Sequence, residues 1–348
     1  MFTTLFKFLS VAMVGIFFNI LSIGHTPVGN TNVYLPLILE ASPNYKIAVA
    51  TEYSVVQVLN IDGSDVFTIT NQGRNYSWSP DGQMIVYDTD YELGDIHLVG
   101  NRGQDDRFFT EGGYPAWSPD GKQLAFYSYR DGDDGWSGDI YINDIDGSNL
   151  VRITYTESSK RVFGWSPDGS KIAYLSESSY GSTGIYTISA DGTDIQRITP
   201  EEGYDGRASW SPDGSMFVSD SMDQNGDDQV YLMQSDGDDR RPLSMPNCRY
   251  PAFSPDGTQV AFFCSGAIHV IETSATDLNS TELYKSSASL DQLAWSPDGD
   301  KIAFGMNTGD GLLLEVHLLD IATGKVTQIT DSDDSYWHEL RWSPIRLP

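Results

Sequence analysis

From about Tyr45 onward the chain is written in short apolar runs, each cut off by turn residues. No 3.6-residue period is sustained after the first 25 residues, so helices have little place here. One kind of run follows a turn directly, as in Lys171-Ile172-Ala173-Tyr174. A second ends in Asp-Gly, as in Val56 to Gly63, Ile140 to Gly147, Ile185 to Gly192 and Val230 to Gly237. A third is brief and ends in Ile-Thr, as in Val151 to Thr154 and Gln196 to Thr199. The fourth ends on an aromatic residue just ahead of Ser-Pro-Asp-Gly. Short runs bounded by Gly, Pro and Asp predict strands joined by tight connections.

The Ser-Pro-Asp-Gly turn follows Trp78, Trp117, Trp165, Trp210, Phe253 and Trp295, and a clipped Ser343-Pro344 follows Trp342. Successive copies start 39, 48, 45, 43, 42 and 47 residues apart. A period of that size marks a propeller or a solenoid. In the turn itself Pro presets φ and Gly takes a left-handed conformation, which suits a hairpin with a bulge. Each unit therefore holds four antiparallel strands, the make-up of a propeller blade. First strands end at seven positions, and the remaining triplets start near Lys46, Met84, Gln123, Lys171, Met216, Gln259 and Lys301. The chain opens on a triplet and closes on a lone first strand. Joining the two predicts an all-β, seven-bladed β-propeller spanning residues 45–348, with six or eight blades as alternatives. Closure of this kind removes two free sheet edges.

Residues 1–24 differ in kind. Lys7 precedes a nearly unbroken apolar run from Phe8 to Ile23, with small residues at Ser22 and Gly24. This is the pattern of a signal peptide, and an uncleaved anchor is the alternative, since a spanning helix needs about 20 apolar residues. Either way the domain is expected outside the cytoplasm: secreted, periplasmic or on the cell surface. Residues 25–44, with Pro27, Pro36 and Pro43, read as a linker.

Charge narrows the partners. Against 21 Lys and Arg stand 49 Asp and Glu, for a net charge of −28. A nucleic-acid partner would need a basic footprint, and contact with a membrane is expected only through the N-terminal segment if it is retained. Part of the acid is architectural, because six aspartates sit inside the Ser-Pro-Asp-Gly turns.

The repeats resemble those of the TolB-type propeller family, which are related to WD repeats and also occur in the propeller domains of exported peptidases. The resemblance covers residues 45–344 and implies the propeller fold. It departs from TolB in counting to seven blades rather than six and in leaving no room for TolB's N-terminal α/β domain. No Gly-x-Ser-x-Gly elbow is present to support a peptidase role. Fold therefore carries over and function does not.

The strand order puts the Ser-Pro-Asp-Gly and Asp-Gly turns on one uniform face. Loops that vary in length lie on the other, where binding residues concentrate. Trp136 and Trp337 stand outside the repeat column, both among acids, with Tyr336 beside the second. Aromatics near carboxylates suit sugars or cationic groups; folding down onto a neighbouring blade is the plain alternative. Arg74, Arg161, Arg207 and Arg249 recur just before a first strand. They could take carboxylates of a ligand or pair with acids such as Asp205. Calcium is the one metal the loops suggest, at Asp131, Asp133 and Asp134, or at Asp223, Asn225 and Asp227, and a solvated turn is the plainer reading. No other cofactor is implied, and the histidines do not converge. Cys248 and Cys264 are expected to fall opposite each other on adjacent strands of the sixth blade and to form a disulfide, as an exported location permits.

These features favour a non-catalytic propeller binding a protein, peptide or glycan on its variable face. The alternative is a lyase or glycoside hydrolase working through acids such as Asp134, Glu202 or Asp333, for which no pair of carboxylates stands out.

Overall fold

In the computed structural model, which describes residues 45–51, 55–89, 94–131, 138–156, 158–177, 183–200, 205–222, 226–307, 314–330 and 337–345, every regular element is a strand. The strands form seven antiparallel sheets of four, the seven blades of a β-propeller. The triplets start at Lys46, Met84, Gln123, Lys171, Met216, Gln259 and Lys301, the positions the repeat predicts. Residues 1–44, read from sequence as a signal segment and linker, lie outside the described residues.

Blade 1 is built from both ends of the propeller. The strand Trp337–Trp342 lies antiparallel to Lys46–Thr51, with Trp342 opposite Ile47 and Leu340 opposite Val49. The Ser343 hydroxyl accepts from the Lys46 amide at 3.0 Å, and the Ser343 amide donates back to the Lys46 carbonyl.

The core sits between blades rather than at the centre of the ring. Each strand alternates its side chains to two faces, and each face is buried against the next sheet. Seven apolar clusters result, one at each junction. At the closing junction Trp342, Leu340, Ile47 and Val49 of blade 1 meet Ala303, Val316 and Leu318 of blade 7. The repeated tryptophans tie neighbouring inner strands. The indole N–H of Trp165 donates to Ala116, that of Trp295 to Ala252 and that of Trp342 to Ala294, each at 3.1 Å. A second aromatic column joins strands two and three, where Tyr87 stacks on His97, Tyr174 on Tyr186 and Phe262 on His269. His97, His269 and His317 thus belong to a packing column, as their repeat positions imply.

The Ser-Pro-Asp-Gly turns are closed by their own side chains. In blade 2 the Ser79 hydroxyl donates to Asp81 at 2.6 Å and accepts from the Met84 amide, while Asp81 also accepts from the Gln83 amide. The same bonds hold Asp120, Asp168, Asp213 and Asp256. Hydrogen bonds to the ionised form pull all five carboxyls below their ordinary range, first through the serine hydroxyl, and Asp168 to about 2. A folded-state value below the unfolded one means stability that is present above the unfolded value and lost as pH falls through the folded one. Tm is therefore expected to hold from pH 8 to about 5 and to fall as the solution is acidified from about 4 towards 2. Thermal melts across that range check it; a flat profile down to pH 2 would count against these turns as the acid-sensitive element.

Candidate functional site

The innermost strands of all seven blades surround a central channel of about 550 Å³. That is within the range of sites for small ligands or short segments of a partner. Most of these strands are interrupted by a β-bulge two to four residues before the repeat aromatic. Register shifts fall between Gly113 and Ala116, Val162 and Gly164, Asp205 and Ala208, Arg249 and Ala252, and Asp291 and Leu293. A bulge re-aims the side chains around it, and such irregularities cluster near functional sites. Tyr114, Tyr250 and Gln292 accordingly sit at positive φ, 53°, 58° and 50°, where bulky side chains are uncommon.

Two buried aspartates hold three of these bulges, those of blades 3, 5 and 6. Asp88, fully buried on the second strand of blade 2, accepts from the Asn75 amide and side chain and from the Tyr114 amide of blade 3 at 2.7 Å. Asp220 occupies the same position in blade 5. It accepts from the Arg207 amide at 2.6 Å and from the Tyr250 amide of blade 6 at 3.0 Å. Asp220 thus joins the bulge of blade 5 to that of blade 6, and Asp88 joins the residue ahead of the blade 2 inner strand to the bulge of blade 3. Burial pushes the Asp220 carboxyl above its ordinary range, against the pull of those two amides.

Four arginines were expected just before first strands, paired with acids or waiting for a ligand. The structure corrects the placement of three: Arg161, Arg207 and Arg249 lie inside the inner strands Ser159–Trp165, Asp205–Trp210 and Cys248–Phe253. Only Arg74 precedes its strand, Tyr76–Trp78. Arg161 and Arg207 line the channel, and Arg249 lines an adjoining pocket of about 230 Å³ with Asp228, Asn247 and Ser265. None of these three makes an ion pair with a described carboxylate. They stack on tyrosines instead, Arg161 over Tyr114 at 5.2 Å and both Arg207 and Arg249 over Tyr250 at 4.2 and 5.1 Å. Asp205, the suggested partner, is occupied by the hydroxyls of Ser221 and Thr199. Burial lifts the Tyr250 phenol to about 12, so the ring under the two guanidinium groups is neutral at ordinary pH.

Sequence reading missed Arg341, which lines the channel from the closing strand. The two aspartate staples were also missed. Their signal was available, because Asp88 and Asp220 hold a column otherwise occupied by Ala50, Tyr127, Leu175, Phe263 and Gly305. Across the described lining of the channel the charged residues are Arg161, Arg207 and Arg341, with no carboxylate among them.

Other candidates separate. Trp136, Tyr336, Asp133, Asp134, Asp223 and Asn225 lie outside the described residues, and of Trp337 only the backbone is described. Asp131 accepts from the Tyr141 hydroxyl at 2.6 Å and faces Arg152. Among the described residues no group of three acids, histidines or cysteines is arranged to hold a metal, and Asp227 belongs to no such group. Asp139 instead anchors a buried ion cluster, taking Arg152 and the Lys160 ammonium of blade 4. Cys248 and Cys264 are Cα partners, 4.3 Å apart, and are joined by a disulfide. A thiol titration of the native protein should find no free thiol, and reduction should lower stability by about 3 kcal/mol for a loop of this length. Two titratable thiols in the native protein would refute the bridge.

The comparisons with known proteins agree on the fold. A family model described as the TolB beta propeller domain matches residues 115–346, more than half of the chain. Dipeptidyl-peptidase 5 of Porphyromonas gingivalis is 28% identical over 119 residues, which is 30% of this chain and 17% of that protein. The chain spans 15 to 40% of the length of the curated relatives it matches. Among solved structures, TolB from Acinetobacter baumannii has a TM-score of 0.57 at 16% identity, over 86% of this chain and 66% of that one. The periplasmic gluconolactonase of Pseudomonas aeruginosa has a TM-score of 0.58 at 16% identity, over 86% of this chain and 99% of that one. At such identities the likeness is one of fold.

Proposed function

The chain belongs to the TolB β-propeller domain family, and we propose that it is an exported, non-catalytic binding propeller whose protein, peptide or glycan partner docks over the central channel. The charge of that channel carries the reading. In a chain with net charge −28, the described lining holds three arginines and no carboxylate. A cationic concavity inside an acidic molecule focuses the field on one spot and guides a partner to it. The bulged inner strands, pinned by Asp88 and Asp220, make the site rigid before any partner arrives, which lowers the cost of binding. Export is supported by the apolar run from Phe8 to Ile23. The enzymatic alternative draws no support from the lining, where a glycosidase would place two carboxylates.

The test is a side-by-side screen of the purified protein and its Arg161→Gln/Arg207→Gln variant on peptide and glycan arrays. Ligands of the native protein are expected to be lost from the variant, with its melting temperature unchanged. Ligands bound equally by both would overturn the channel as the docking site.

A further inference from the structure

Resting on that reading, we infer that Arg207, Tyr250 and Arg249 form a clamp for carboxylates, and that its ligand is an acidic peptide segment entering the channel. Two guanidinium groups share one tyrosine ring, so their charges stand within about 10 Å of each other, roughly one Debye length. Neither makes an ion pair with a described carboxylate. Among the described residues, the groups facing them are the Tyr250 ring, the Asp220 carboxylate, whose two oxygens are taken by backbone amides, Asp228 across the adjoining pocket, and Asp291 near the Tyr250 hydroxyl. A carboxylate bridging the two guanidinium forks would relieve their repulsion through charge-assisted bonds.

The clamp is built rather than incidental. Asp220 fixes the backbone of Arg207 and of Tyr250 at once, and Tyr250 is held at a φ of 58° that re-aims its ring. Arg161 of blade 4 likewise stacks over Tyr114 of blade 3, whose amide Asp88 holds.

Two observations favour a peptide over an acidic glycan. Sugars are held by open aromatic faces, and here arginines already cover Tyr114 and Tyr250. The inner strand of each blade is also a sheet edge, which offers backbone groups that an extended peptide can match.

Fluorescence anisotropy with a labelled heptaglutamate peptide tests this, using the full protein, a Ser209→Trp variant that fills the channel, and Arg207→Gln/Arg249→Gln. Melting temperatures establish that each variant is folded. The expected result is binding by the native protein that weakens at least about tenfold in the arginine variant and is lost in Ser209→Trp. A heptaglutamine peptide should not bind. Three results overturn the clamp: no heptaglutamate binding, equal binding by the arginine variant, or binding of tri-galacturonate in place of the peptide. Array ligands that are lost from Arg161→Gln/Arg207→Gln and blocked by Ser209→Trp yet insensitive to Arg207→Gln/Arg249→Gln would sink the clamp while leaving the channel reading standing. Ligands insensitive to Ser209→Trp would sink both.

Discussion

Removing residues 336–348 should abolish the cooperative unfolding transition, although the cut takes less than a twentieth of the chain. The deleted strand is the inner strand of blade 1, paired with Lys46–Thr51 along its length. With it go the reciprocal bonds between Lys46 and Ser343, the indole bond from Trp342 to Ala294, and the apolar face that Leu340 and Trp342 present to blade 7. Blades 1 and 7 would then expose an edge strand and an unfilled junction, and a propeller has no second core to fall back on. The single substitution Trp342→Ala, which leaves the strand but empties the junction, should cost about 3–5 kcal/mol. Calorimetry of both variants decides the matter; a truncated protein that melts like the parent would show the ring to be closed by something else.

The second large effect is expected from Asp220→Ala. This carboxylate is 8% exposed and is the acceptor for the Arg207 and Tyr250 amides. Its loss leaves two amides unpaired at a strained bulge, and hydrogen bonds to a charged group contribute about 1.5–3 kcal/mol each. A total near 3 kcal/mol is expected, with Asp220→Asn losing less because one oxygen remains to accept. Denaturant unfolding reads the size, and the midpoint should move without a change in slope. A neutral result for the alanine variant would mean that Tyr250 holds its left-handed conformation without help.

The comparison of these two effects shows what a sequence of this kind displays. Ring closure was legible because it follows from counting repeats: Trp342 stands where a seventh first strand must end. Strand starts were legible for the same reason, since the Ser-Pro-Asp-Gly turn fixes both its neighbours by local geometry alone. The channel was not. Arg161 and Arg207 could be seen to recur, but a bulge shifts which way each inner strand points, and nothing local to the arginines announces a bulge. At Arg207 the carboxylate that holds the bulge, Asp220, lies 13 residues along the chain, and it also reaches the Tyr250 amide of the next blade. Asp205 as a partner for Arg207 was suggested by proximity in sequence, while in the fold the hydroxyls of Thr199 and Ser221 take that carboxylate.

The pairing of Trp337–Trp342 with Lys46–Thr51 also sets a clock. A ribosome adding about 5–20 residues per second needs on the order of 15–60 s to travel from the first partner to the last. Throughout that interval blade 1 is an open three-stranded sheet awaiting a strand not yet made. The middle blades can stack as they emerge, but the circle itself can be completed only after synthesis of the closing strand. An incomplete polypeptide is thus distinguishable from a finished one by its free edge, which gives chaperones and proteases a physical criterion for telling them apart.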